Sequence, residues 1–169
     1  MNIDEATIIA LGGNLNLDGV SVQAVLDAAL THLRGEGMEP VRRSRWWRSQ
    51  AWPDPGQPPF LNGVVMVQTD LGAREVLAAL LRIEIAMGRS RGEPNAPRTL
   101  DLDLIAHGRD VIDEPGLILP HPRAADRRFV MGPLAEIAPE WRHPVLGETA
   151  AALLGKASVG TDAEPICSD

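Results

Sequence analysis

Leu100-Asp101-Leu102-Asp103-Leu104 alternates without a break between a branched apolar side chain and a carboxylate. A period of two belongs to a β-strand, with the leucines on a buried face and both aspartates on the other. Two carboxylates two residues apart on one face sit roughly 7 Å from each other and repel when both are ionised. The chain must therefore build a sheet that is closed on the leucine side and offers the aspartate side to water or to a cation. Hard oxygen donors with few protein neighbours suit Mg²⁺, which keeps waters and shares its shell with phosphates. The alternative is a solvated strand face carrying two incidental acids.

What lies upstream sharpens the metal reading. Arg89, Arg91 and Arg98 fall on a Gly/Pro-rich stretch that feeds directly into the acidic strand, and Glu84 stands one turn before it. Arginine's planar fork suits bidentate contact with phosphate, so the stretch reads as a clamp for a polyphosphate or as a hydrophilic loop with incidental charge. A phosphate loop of the Walker type is absent, because Gly155-Lys156-Ala157-Ser158 lacks the upstream glycine.

Net charge bounds the partners. The chain of 169 residues carries a formal −7 with a pI near 5.1, so a nucleic-acid or acidic-membrane binder working through a bulk basic field is disfavoured. All basic residues from 42 to 142 are arginines, and Lys156 is the only lysine. A codon bias is the favoured explanation of the excess taken alone. Cys167 is the single cysteine, which excludes an internal disulfide framework and a cysteine-based zinc site. The acidic start does not read as a secretory leader, and no apolar run approaches the roughly 20 residues of a membrane span. A cytoplasmic monomer, bound to neither membrane nor nucleic acid, is expected.

The remaining elements follow from periodicity. Thr7 to Leu11 reads as a buried strand ending at Gly12-Gly13-Asn14, and Val22, Val25, Leu26, Ala29, Leu30 and Leu33 recur at helical spacing. Residues 38–49 suggest one strand with a wet face. Pro53 to Pro59 interrupts it, and Phe60 to Thr69 resumes as a second strand. Residues 72–87 form an amphipathic helix, and Thr99 to Ala106 the last main strand. Short Pro-punctuated elements follow, with a final helix near 148–154. The order β-α-β-β-α-β predicts an α+β fold with a ferredoxin-like βαββαβ core and short C-terminal additions. Its antiparallel sheet carries helices on one face and leaves the other for a site. One domain over 1–156 with a flexible tail over 157–169 is expected.

Two further constellations carry chemistry. Pro120-His121-Pro122, followed by Arg127, Arg128 and Phe129, fixes the backbone around a histidine suited either to a phosphate or to tying a turn together. Phe60-Leu61-Asn62 offers an amide matching the donor–acceptor edge of a flat heterocycle beside an aromatic ring, or simply the start of a strand. Trp46-Trp47 between Arg45 and Arg48 has the look of an aromatic-basic nucleic-acid patch, although half-buried strand packing is favoured.

Taken in order, these segments resemble one family, 6-hydroxymethyl-7,8-dihydropterin pyrophosphokinase of folate biosynthesis. The matching pieces are Leu11-Gly12-Gly13-Asn14, Phe60-Leu61-Asn62, Arg82-Ile83-Glu84 with Gly88-Arg89, Pro97 through Asp103, Pro120-His121-Pro122, and Arg127 through Pro139 in part. The likeness runs over roughly residues 6–147, and its Pro97-Arg98-Thr99-Leu100-Asp101-Leu102-Asp103 stretch is the most specific part.

The resemblance implies transfer of the β,γ-diphosphate of ATP to the pterin hydroxymethyl oxygen, with release of AMP. It also implies that Asp101 and Asp103 hold two Mg²⁺ ions. Arg89, Arg91 and Arg98 would clamp phosphates, with Glu84, His121 and Arg127 on the nucleotide side. Ser49, Phe60, Asn62 and Phe129 would receive the pterin. The chain departs from the family pattern at several points. Pro94-Asn95 stands where many relatives carry Arg-Trp, which implies looser loop closure and a slower step. Gly13, Ser49, Trp52-Pro53 and Pro122 replace Ser, Thr, Leu-Gly and Tyr. A catalytically weak pterin- and ATP-binding paralogue is the first alternative; a ferredoxin-like RNA-binding module is the second.

Overall fold

The computed structural model describes residues 2–14, 20–50, 58–87 and 100–166. Its main strands are β1 (Thr7–Gly13), β2 (Glu39–Arg43), β3 (Trp47–Ser49), β4 (Phe60–Gln68) and β5 (Asp101–His107). Helices α1 (Val22–Gly35) and α2 (Ala73–Ala86) connect them. The sheet runs β5-β1-β4-β3, with β2 also paired to β4, and every pairing is antiparallel. The expected α+β architecture is present, with the strand between α1 and β4 broken into two pieces.

The break has a local cause. Ser44 Oγ accepts the Val64 N–H at 3.0 Å and donates to the Arg45 carbonyl at 2.7 Å, so a side chain replaces a ladder bond and the strand bends. Past the bend, Trp46 and Trp47 go to opposite sides of the sheet, each only 6% exposed. Trp46 packs over Gly63, and Trp47 over Gly132. Neither ring is available as a surface platform for nucleic acid.

Burial alternates along the central strands. Ile9, Leu11, Val65 and Val67 face a core with Leu26, Leu33, Val76 and Leu80 of α1 and α2. Leu100, Leu102 and Leu104 join that core, as the alternation in the sequence requires. Ser21 caps α1 by accepting the Ala24 N–H at 3.2 Å, and Glu75 reaches back to the Gly72 N–H at the start of α2.

The opposite face was expected to be open, and it is not. Ile8, Ala10, Val64 and Met66 pack there against α3 (Arg128–Ile137) and α4 (Ala150–Lys156), with Trp141 fully buried between them. α3 was hidden in the sequence because Pro133 lies inside it and reads as a breaker. The proline lacks the N–H that would bond the Phe129 carbonyl, and burial of Val130, Met131 and Leu134 carries the helix instead. Between β5 and α3 lie a small hairpin, β6 (Ile112–Glu114) with β7 (Leu117–Leu119), and a short 3₁₀ turn at Ala124–Asp126.

Of the expected tail over 157–169, residues 167–169 lie outside the described residues. Residues 157–166 pack on the domain and end in β8 (Glu164–Pro165), which pairs with β3. Ala163 is buried there. Ala163 and Ile166 pack inward, and hydrogen bonds to residues far away in the chain fix the rest of the segment, which no local pattern announces.

Leu134→Ala should destabilise the protein by about 2–5 kcal/mol if the second layer is part of one cooperative core. Urea unfolding would measure it; a loss under about 1 kcal/mol would mean that α3 is a peripheral attachment.

Candidate active site

The second helical layer stops short of one end of the sheet, and the residues at that end are polar. Gly12 is paired with Asn62 on one side and Asp101 on the other, and Ala10 is paired with Asp103. Asp101, Gly12 and Asn62 therefore form one cross-strand row. The two outer members are separated by two strand spacings, roughly 10 Å. Asp101 and Asp103 are both partly exposed, and both line a cleft of about 850 Å³.

Gly12 is required between them. A Cβ at this position would lie 2.8 Å from Asn62 Oδ1, closer than real side chains allow. The missing side chain leaves room for the amide. Asn62 Nδ2 donates to Ser49 Oγ at 3.0 Å, which fixes which way the amide points. Among the described residues Asn62 Oδ1 takes no hydrogen bond, and it faces the cleft beside Gly12.

Ser49, Phe60, Asn62, Asp101, Asp103, Arg127 and Phe129 all border this one cleft. The Arg127 guanidinium lies 5.6 Å from the centre of the Phe129 ring, within cation–π range. His121 sits beside the cleft, next to the lining residue Pro122. Its backbone N–H donates to the Ile105 carbonyl at 2.9 Å, which ties it to β5. The Arg123 N–H donates to His121 Nδ1 at 3.2 Å, so Nδ1 is the unprotonated nitrogen and Nε2 carries the proton. Burial and the Arg127 and Arg123 charges lower its pKa, and Asp101 only partly opposes them. The ring is a neutral Nε2–H donor at physiological pH.

Three expected residues, Arg89, Arg91 and Arg98, lie outside the described residues, as do Trp52-Pro53 and Pro94-Asn95. Glu84 is buried, only 2% exposed, and its Oε2 accepts the Leu102 N–H at 2.9 Å. β5 ends the sheet, so its outward N–H needs a partner, and Glu84 supplies it between the two aspartates. The residue thus holds the acidic strand.

Arg123, Asp126 and the stretch Ser158–Asp162 also line the cleft and were not anticipated. Asp126 binds Ser158 through its side chain, which keeps the carboxyl below its ordinary pKa. Nothing in the local sequence marks these positions, because they meet the site only through tertiary packing.

Asp101, Asp103, Asp126 and Asp162 outnumber Arg123 and Arg127 among the described lining residues. A polyphosphate entering here needs added positive charge near Asp101 and Asp103. Their oxygens are the hard donors that Mg²⁺ takes, and two protein carboxylates leave the rest of its shell to water and phosphate. The donor set fits that ion. Among the described residues no group of three or more ligands forms, so a cage built wholly of protein is not what this site offers.

Comparison with known proteins decides the family. The family model for 7,8-dihydro-6-hydroxymethylpterin-pyrophosphokinase (HPPK) matches residues 8–139. The chain belongs to the HPPK family. It is 42% identical over 147 residues to a 2-amino-4-hydroxy-6-hydroxymethyldihydropteridine pyrophosphokinase of Synechocystis, covering 84% of this chain and 71% of that one. It is 36% identical over 149 residues to the protein of the same name from Methylorubrum extorquens, covering 88% and 90%. Among solved structures, Plasmodium falciparum HPPK-DHPS with pteroate superposes with a TM-score of 0.71 at 13% identity. This chain spans 44% of that longer one, and the likeness establishes the HPPK fold.

Two outcomes test the geometry. Gly12→Ala should push the Asn62 amide aside and weaken pterin binding at least about tenfold, with the fold retained; unchanged affinity by calorimetry would refute the required gap. His121 and His143 both have lowered pKa values, chiefly through burial. The unfolded chain therefore binds more protons as pH falls below the ordinary value of 6.5, and stability is lost in that direction. Tm should fall between pH 7.5 and 5.5, above the range where carboxylates titrate; a flat Tm over that window would contradict the assignment.

Proposed function

We propose that this HPPK-family chain, a pyrophosphokinase of folate biosynthesis, transfers the diphosphate of ATP to the hydroxymethyl group of 6-hydroxymethyl-7,8-dihydropterin. The products are AMP and the pterin diphosphate. The observation that carries this reading is the single row Asp101–Gly12–Asn62, which brings a carboxylate pair and a heterocycle-reading amide to one cleft.

Each residue then has a task. Asn62 Oδ1 accepts from the pterin edge, held in register by its own donation to Ser49. Phe60 and Phe129 flank the flat ring and exclude water from it. His121 Nε2–H donates to a phosphate oxygen without adding charge, and Arg127 supplies charge on the same side. Arg89, Arg91 and Arg98 are assigned to the phosphates by family likeness. Asp101 and Asp103 would hold two Mg²⁺ ions, which when bound offset the charge of the phosphates and of the leaving AMP. Either aspartate can accept the proton released from the pterin hydroxyl. Glu84 keeps β5 in place so that the carboxylates meet the substrates at a fixed spacing. The arrangement lowers the barrier by positioning and electrostatics, with no covalent bond to the protein.

AMP release from ATP, Mg²⁺ and the hydroxymethyl pterin, followed chromatographically, is the direct test. One AMP should appear per pterin diphosphate; both ligands bound with no AMP above background would identify a binding paralogue instead. Asp101→Ala and Asp103→Ala should each lower kcat by about 100-fold or more while Tm holds. Arg91→Ala should cost less than Asp103→Ala, and near-wild-type rates in either aspartate variant would dismiss the metal assignment.

A further inference from the structure

The segment Ser158–Ile166 spans the mouth of the cleft and is anchored on two walls that do different work. On one wall, the Asp126 carboxylate accepts the Ser158 N–H at 2.9 Å and its hydroxyl at 2.8 and 2.7 Å. The Asp126 carbonyl also accepts the N–H groups of Ser158 and Val159, and the Val159 carbonyl accepts from Arg128. On the other wall, Asp162 Oδ2 accepts the Gln50 N–H at 2.7 Å. Beyond it β8 pairs with β3, and the Ile166 N–H donates to the Trp46 carbonyl at 2.9 Å.

Each anchor ends next to a different part of the heterocycle site. Gln50 directly follows Ser49, whose Oγ orients the Asn62 amide. Gly160 lies against Phe129: a Cβ there would fall 2.5 Å from ring atom Cδ1, and its φ of +69° disfavours any other residue. The strap thus joins the wall carrying the amide to the wall carrying the ring. A flat heterocycle hydrogen-bonded at its edge by Asn62 and stacked on Phe129 keeps both contacts only while the two walls hold their spacing, because each is short-ranged. Asp101 and Asp103 take no part in either anchor.

We propose that Ser158–Asp162 set the width of the pterin slot, with Asp162 and Gly160 acting as positioning residues for the pterin and not for ATP. This deepens the pyrophosphokinase reading and rests on it. It also extends the catalytic unit past residue 156, beyond the part of the chain that the family match covers.

The test compares full-length wild type with Asp162→Ala, Asp162→Asn and Gly160→Ala. KM for each substrate and kcat would be measured by AMP release, pterin affinity by calorimetry, and folding by Tm. Asp162→Ala should raise the pterin KM and Kd about fivefold to tenfold, with the ATP KM within about twofold. Asp162→Asn should recover most of the loss, because the Gln50 N–H needs an acceptor and not a charge. Gly160→Ala should weaken pterin binding through the displaced Phe129 ring, a route independent of that hydrogen bond. It keeps the idea testable if Asp162→Ala fails to fold. Unchanged pterin affinity in Asp162→Ala or Gly160→Ala overturns the proposal, as does a parallel rise in both KM values. A wild-type chain that binds pterin but forms no AMP removes the activity reading alone, and the strap is then judged on the calorimetric affinities.

Discussion

Everything at the cleft follows from where the second helical layer ends. β1 and β4 are buried on both faces for most of their length, so their side chains are apolar and their backbone groups are satisfied by neighbouring strands. α3 and α4 cover Ile8, Ala10, Val64 and Met66. One register step further, at Gly12, Asn62 and Asp101, the row turns polar: Asn62 is still buried and its amide donates to Ser49, while Asp101 is partly exposed. The site lies at one margin of the sheet, whose paired strands give it a rigid floor.

That floor works because one position lacks a side chain. Gly12 lets the Asn62 amide lie flat between strands, and Ser49 holds its orientation. On the opposite side the buried Glu84 carboxylate accepts the outward N–H of Leu102, a charge-assisted contact that holds β5. Carboxylate pair and amide are thus fixed on two strands of one sheet, β5 and β4, with β1 between them. The neutral His121 complements them: its Nδ1 is occupied by the Arg123 N–H, so the ring contributes a directed donor where the arginines contribute charge.

Features legible in the chain were those whose physics is local. The Leu-Asp alternation of residues 100–104 forced a two-faced strand, and the 3.6-residue recurrence over α1 and α2 marked their buried stripes. Asn62, Ser49, Phe60 and Phe129 were named through the family likeness and all border the cleft. The misses share a cause. Pro133 argued against a helix that burial of Met131 and Leu134 sustains. Ser44 split a strand through a bond to Val64, twenty residues away.

Alternation and helical spacing depend on the backbone's own repeat, and they were enough to determine the βαββαβ order, the leucine face and the paired aspartates. Covering of the sheet's second face, the cross-strand row through Gly12 and the docking of Ser158–Ile166 onto β3 depend on contacts between residues far apart in the chain. Such contacts form only once loop-closure entropy has been offset by burial elsewhere, and a short irregular stretch such as 157–166 does not announce them. The chemistry of this protein was written in short motifs; the shape of the slot that uses it arose from packing.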